Sequence, residues 1–176
     1  MEFVCRDINA TVRSANVRAT FDAFLLVPSA GQRLMARHKL KLDDLAADPV
    51  VPVQRWLDAL KEIHQTVGAG VVRHVGMRII ENADFPPHLP TTTSILEALD
   101  AIYYVNHSGD VGHYRCRRQG DAFVIRCETP YPADFERGLV EGICRHKRSG
   151  GRRYSVGFEL APPGGDLTCT LTVRPC

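Results

Sequence analysis

The stretch His113-Tyr-Arg-Cys-Arg-Arg-Gln-Gly-Asp-Ala-Phe-Val-Ile-Arg-Cys-Glu128 alternates apolar and polar residues on both sides of a Gly-Asp pair. Alternation with a period of two indicates β-strands, and Gly-Asp between two such runs indicates a tight hairpin turn. A turn at this pair places Tyr114 opposite Cys127. The register gives the sheet one apolar face and one charged face, so we expect the apolar face to pack against the core.

A helix and a second hairpin follow the first hairpin. Residues 132–147 carry apolar side chains at helical spacing, whereas residues 153–160 and 167–173 alternate like strands. The Ala-Pro-Pro-Gly-Gly-Asp stretch at 161–166 has the composition of a turn. The second half of the chain therefore predicts the order hairpin, helix, hairpin.

Before residue 107 the apolar residues recur at helical spacing, most clearly between Pro52 and Val67. Ser94 and Glu97 have the spacing of a capping box, which marks a helix start. The sequence thus predicts an α+β fold in a single domain over residues 1–176. A helical half (15–107) forms a layer that packs on the small antiparallel sheet of the other half (112–174).

Composition excludes several functional classes. The chain has 176 residues with 22 Lys and Arg against 20 Asp and Glu, which is not the basic excess of a nucleic-acid-binding protein. No apolar run approaches the roughly 20 residues that span a bilayer. The first residues lack a secretion signal, and the six cysteines show no CxxC spacing. We therefore expect reduced thiols, a cytoplasmic location, no nucleic-acid partner and no membrane span.

The sequence shows no motif for covalent catalysis, nucleotide binding or zinc hydrolysis. His113 and Cys116 could serve as zinc ligands by residue type, but their positions in the strand put them on opposite faces. We therefore predict no metal site there and a protein without enzymatic activity. An enzyme that uses His64 with Glu62 or a tyrosine as acid and base remains an alternative.

The strand–helix connection Glu128-Thr-Pro-Tyr-Pro-Ala-Asp-Phe-Glu-Arg-Gly138 carries the most distinctive local pattern, Pro-Tyr-Pro-x-x-Phe-x-x-Gly. Two prolines stiffen the exit from a strand, and acidic residues follow at the start of a helix, where the helix dipole favours them. Together with the order of elements over residues 15–174, this connection resembles a bacterial group within one superfamily. That superfamily holds the haem-nitric-oxide-binding (H-NOX) domains, the 4-vinyl-reductase-type ligand-binding domains and some TRAPP tethering subunits.

The resemblance implies a pocket between the helices and the sheet that holds a small apolar molecule, a haem or an acyl chain. H-NOX domains hold haem propionates with a Tyr-x-Ser-x-Arg motif, which is absent from this sequence. Their proximal histidine lies on the helix before the first hairpin, where this chain has no histidine until His107. The candidate ligand-binding residues are Trp56, Leu60, His64, Leu99, Ile102, Tyr103 and Phe135, and the candidate haem ligands are His64 and His107.

These observations predict a non-enzymatic domain that binds a small apolar ligand and acts as a sensor in bacterial signalling. A haem-binding sensor is one alternative. The other is an assembly protein, in which a threonine-rich strand edge (Thr168, Thr170 and Thr172) pairs with a second copy to form a homodimer.

Overall fold

The structure is a computed structural model that describes residues 2–81, 83, 85–159 and 168–176. Its α-helices are α1 (Ser14–Asp22), α2 (Pro28–Arg37), α3 (Leu42–Ala47), α4 (Val53–Thr66), α5 (Ala69–Glu81), α6 (Thr92–Glu97), α7 (Leu99–Asn106) and α8 (Ala133–Arg145). Its strands are β1 (Thr11–Arg13), β2 (Val50–Pro52), β3 (His107–Ser108), β4 (His113–Gln119), β5 (Ala122–Glu128), β6 (Tyr154–Glu159) and β7 (Cys169–Pro175). The fold is α+β, as predicted.

The first hairpin forms in the predicted register. Tyr114 on β4 lies opposite Cys127 on β5. The turn between the strands is the Gly-Asp pair, and Gly120 has a φ of +59°, a left-handed conformation that glycine adopts without strain. Tyr114, Phe123 and Cys127 are buried on the core side of the sheet.

The threonine-rich strand is not an edge, which corrects the sequence-based prediction of a pairing surface. The sheet order is β4-β5-β7-β6, so both sides of β7 are already paired. Thr170 and Thr172 are only 8% and 5% exposed. Thr168, just before β7, donates its hydroxyl to the carbonyl of Thr129. A strand with two bonded neighbours has no free backbone groups for a second chain.

The ends of the second hairpin, Leu160 and Leu167, and the turn at 161–166 lie outside the described residues. β6 and β7 themselves pair antiparallel, with Val156 opposite Val173. Among the described residues, no helix is long and apolar enough to cross a membrane.

The N-terminal half contains strands as well as helices, contrary to the sequence-based prediction. β1 pairs antiparallel with both β2 and β3 in a separate sheet. These strands have two or three residues each, which is too short for an alternating pattern to appear in the sequence. Their pairing brings residue 13 next to residue 105.

The predicted capping box at Ser94 lies one turn away from its expected place. Thr91 is the N-cap of α6. Its hydroxyl accepts from the backbone N–H of Ser94, and its own backbone N–H donates to the hydroxyl of Ser94. The chain then starts a new helix, α7, at Leu99. Two short helices replace the single predicted one.

Helices α5 and α8 pack along one another through glycines. A β-carbon added to Gly138 would lie 1.9 Å from the backbone oxygen of Arg73, and one added to Gly76 would lie 2.3 Å from the oxygen of Phe135. Such distances leave room for hydrogen only. The close approach anchors α8, whose Phe135 and Ile143 face the interior.

Candidate functional site

A cavity of about 380 Å³ lies among α1, α4, α5, α7 and α8; we call it the central cavity. Its main walls are Leu99, Ile102 and Tyr103 from α7 and Phe135, Leu139 and Ile143 from α8. Among the described residues, Tyr114 is the single contribution of the four-stranded sheet to its lining. The hollow therefore lies mainly between helices, and the sheet closes one side.

Five of the seven predicted site residues line the central cavity: Trp56, Leu99, Ile102, Tyr103 and Phe135. Leu60 and His64 are not among the described residues that line it. Leu60 is fully buried in the core instead.

His64 lies at the rim of the buried stripe of α4, not within it. Its side chain is 38% exposed, and its Nε2 is 3.7 Å from a carboxylate oxygen of Asp134. Its ring meets that of Phe3 edge-on, at 5.8 Å between centroids. His64 therefore does not line the central cavity as the sequence predicted, because the buried stripe of α4 is centred on Trp56, Leu60 and Ile63.

The pairing of His64 with Glu62, considered as the acid and base of an enzyme, does not form. Glu62 is hydrogen-bonded to Arg37 and His38. The hydrogen bond from Arg37 has the largest effect in lowering the pKa of Glu62, and the one from His38 adds to it. His64 faces Asp134.

Aromatic rings fix the floor of the central cavity. Tyr131 and Phe135 stack with centroids 4.7 Å apart, and Trp56 meets both rings edge-on. The indole N–H of Trp56 donates to the hydroxyl of Thr20 at 2.9 Å. With its polar atom bonded away from the hollow, Trp56 offers an apolar surface to a ligand.

The tyrosine hydroxyls that border the cavity also have protein partners. Tyr103 donates to the carbonyl of Val111 at 2.8 Å, and Tyr114 donates to Glu136 at 2.6 Å. The hydroxyl of Tyr131 lies 2.8 Å from Nε2 of His107. The buried lining is therefore apolar in character, even though it is rich in tyrosine.

His107 uses both of its ring nitrogens within the protein. Nδ1 lies 2.9 Å from the carbonyl of Tyr103, which can only accept, so Nδ1 carries the proton. Nε2 then accepts from the hydroxyl of Tyr131. Burial lowers the pKa of His107 from 6.5 to about 4. The imidazole is neutral at physiological pH and held in one tautomer.

Glu136, directly behind the cavity wall, is a residue that the sequence-based prediction missed. It is fully buried, and its carboxyl group accepts from the hydroxyls of Tyr114 and Thr129. Burial raises its pKa from 4.5 to about 7, and the two hydroxyl hydrogen bonds oppose that shift. Glu136 lies four residues before Val140 and seven before Ile143, so it falls on the apolar face of α8. This helical spacing is the sequence signal that could have shown Glu136 to be buried.

Polar side chains gather at the exposed side of the central cavity. Arg13 is exposed, and Asn16 and Asn106 are half-buried. Nε of Arg13 donates to the carbonyl of Val105 at 3.1 Å. The amide of Asn16 donates to that of Asn106 at 3.3 Å.

The described lining residues do not fit a haem group. An axial ligand must be a side chain with a free donor atom, such as histidine, cysteine, methionine or tyrosine. His107 is bonded at both nitrogens, and the three lining tyrosines donate within the protein. Among the described residues, no cysteine or methionine lines the cavity, and no cluster of histidine, cysteine or acidic residues could hold a metal ion.

No protein-family model matches the sequence, and no curated protein matches it either. Solved structures do match its fold. An H-NOX protein from S. oneidensis in the Fe(II)NO ligation state shares 14% identity at a TM-score of 0.70, covering 93% of this chain and 99% of that chain. A mutant of the H-NOX protein from T. tengcongensis shares 12% identity at a TM-score of 0.65, covering 93% and 97%. The chain therefore has the H-NOX fold, which confirms the fold implied by the resemblance.

Proposed function

We propose that this chain with the H-NOX fold is a non-enzymatic domain that binds a small, largely apolar molecule in the central cavity and acts as a sensor. The observation that carries this proposal is the preformed hollow of about 380 Å³ with aromatic and aliphatic walls. Ligand sites in proteins span about 300–1,000 Å³ and are mostly apolar. A cytoplasmic location is part of the proposal, and the six free thiols support it.

The position of the cavity supports a role in sensing. It is lined by α7, which runs directly into β3, and by α8, which connects the two hairpins. A ligand that binds one arrangement of these helices better shifts the population toward it. The change would reach the surface through the elements joined to α7 and α8.

The experiment uses Trp56, the only tryptophan in the chain, as a reporter inside the cavity. Titration with 1-decanol, a neutral apolar probe, should give a saturable change in Trp56 fluorescence. Leu139→Phe adds volume to the cavity wall and should abolish that change. Leu42→Phe, on the exposed side of α3, is the matched control and should leave the titration unaltered.

Native mass spectrometry of the purified protein should also show a small bound molecule that Leu139→Phe loses. If decanol gives no saturable response and the purified protein carries no ligand, the central cavity is not a binding site and the proposal fails.

Haem is the second candidate, and the fold is the observation that favours it. The structural neighbours include Fe(II)NO and Fe(II)CO forms of H-NOX proteins. Expression with added haem, followed by absorbance spectroscopy, separates the two candidates. We expect no Soret band; a band that disappears in His107→Gln would overturn the assignment to a non-haem ligand.

A further inference from the structure

We infer that the ligand of the central cavity is an amphiphile with an anionic head group, and that Arg13 binds this head group at the exposed side of the cavity. This inference rests on the proposed function and adds the chemical class of the ligand. Arg13 is not among the site residues that the sequence predicted.

The charge distribution of the lining is one-sided. Among the described residues that line the cavity, Arg13 is the only one that is charged at neutral pH, since His107 is neutral. No acidic side chain among the described residues lines the cavity with it. The first turn of α1, which follows Arg13 directly, contains no acidic residue. A positive charge at the rim of an apolar hollow favours a molecule that is apolar at one end and anionic at the other.

The guanidinium group of Arg13 is oriented by the fold. Its Nε donates to the backbone carbonyl of Val105 at 3.1 Å. Val105 belongs to α7, which forms one wall of the cavity. Among the described residues, no acidic side chain forms an ion pair with the two terminal nitrogens of Arg13. Those two nitrogens form a fork that matches the two oxygens of a carboxylate.

Asn16 and Asn106 extend the polar rim beside Arg13. Asn106 donates to the carbonyl of Ile102 at 2.8 Å and accepts from Asn16 at 3.3 Å, so both amides are held in place. The buried lining beyond them is apolar. The cavity therefore has a polar end and an apolar end. A neutral hydrocarbon would fill the apolar end but leave the polar groups at the rim without a partner.

The test compares decanoate with 1-decanol, which have the same chain length and differ in the charge of the head group. Decanoate is titrated below its critical micelle concentration and decanol below its solubility limit, and Trp56 fluorescence reports binding. Because hydrogen bonds to charged groups are the stronger ones, we expect decanoate to bind at least about tenfold more tightly than decanol. Added salt should weaken the binding of decanoate and leave that of decanol unchanged.

Variants assign the difference to Arg13. Arg13→Gln should lower decanoate affinity to that of decanol, and Arg13→Lys, which keeps the charge but not the fork, should give an intermediate value. Unchanged decanol binding shows that the cavity is intact in each variant. Arg18→Gln is the matched control, because Arg18 is an exposed arginine of α1 that does not line the central cavity.

The outcomes separate this inference from the proposed function. If decanol and decanoate bind equally and Arg13→Gln changes neither, Arg13 serves only to bond α7, and the inference is wrong while the cavity remains a binding site. If neither probe binds and the purified protein carries no small molecule, the proposed function fails and the inference with it.

Discussion

Two buried groups with opposite pKa shifts contribute to the pH dependence of stability. Glu136 has a pKa of about 7 in the folded protein against 4.5 ordinarily, so the folded state holds its proton more tightly. Its contribution is complete below about pH 4.5 and is lost as the pH rises to about 7. His107 has a pKa of about 4 against 6.5 ordinarily. Its contribution is complete above about pH 6.5 and is lost as the pH falls to about 4.

Each shift corresponds to about 3 kcal/mol of unfolding free energy, because one pKa unit is worth about 1.4 kcal/mol. Between about pH 4.5 and 6.5 the two effects have opposite slopes and nearly cancel. Glu136→Gln removes the contribution of Glu136, which decreases as the pH rises. Relative to the wild type, its stability should therefore rise by about 3 kcal/mol as the pH increases from 4.5 to 7. His107→Gln should show the reverse, a relative fall of about 3 kcal/mol from pH 4 to 6.5.

Urea unfolding followed by circular dichroism, repeated across this pH range, measures these differences. All other groups titrate in both the variant and the wild type, so the difference between the two isolates the substituted residue. The double variant should combine both relative changes. A Glu136→Gln difference that does not vary with pH would show that Glu136 is ionised in the folded protein, and the reasoning from burial would be refuted.

Two further predictions concern packing and a loop. Gly138→Ala places a β-carbon 1.9 Å from the backbone oxygen of Arg73, so we expect a loss of about 1–3 kcal/mol or more in urea unfolding. Gly70→Ala on α5, where a β-carbon would meet nothing within 4 Å, should instead stabilise the protein by about 0.5–1 kcal/mol. Arg148 donates to three backbone carbonyls within residues 85–89. Arg148→Ala should therefore cost about 1–3 kcal/mol and speed amide hydrogen exchange in that loop.

Equal effects of the two glycine substitutions would show that α5 and α8 do not depend on close backbone contact. Unchanged exchange in residues 85–89 after Arg148→Ala would show that the loop is ordered by its own packing.

The register of the first hairpin could be predicted from the sequence, because a period of two leaves only one pairing that buries a whole face. Tyr114 opposite Cys127 follows from the position of the Gly-Asp turn alone. This register depends on residues that are near one another in the chain.

The candidate site was only partly predictable, and the two ends of α4 show why. Trp56 lies on the centre of the apolar stripe and lines the cavity, whereas His64 lies at its rim. A stripe shows which side of a helix is buried but not which neighbour it meets. In the sequence Glu136 is one of several acids at a helix start. Its spacing from Val140 and Ile143 points to the buried face of α8, but its partners Tyr114 and Thr129 are known only from the structure.

The sequence by itself determined the α+β class, the two hairpins with the helix between them, and the apolar stripe between Pro52 and Val67 that contains Trp56. Tertiary structure alone decided that β7 lies inside the sheet, that His107 is bonded at both nitrogens, and that Arg13 reaches the cavity. Each of these depends on contacts between residues far apart in the chain; Arg13 and Val105, for example, are 92 positions apart. Such contacts form because separate segments bury their apolar faces together. The periodicity of one segment does not show which distant segment will pack against it.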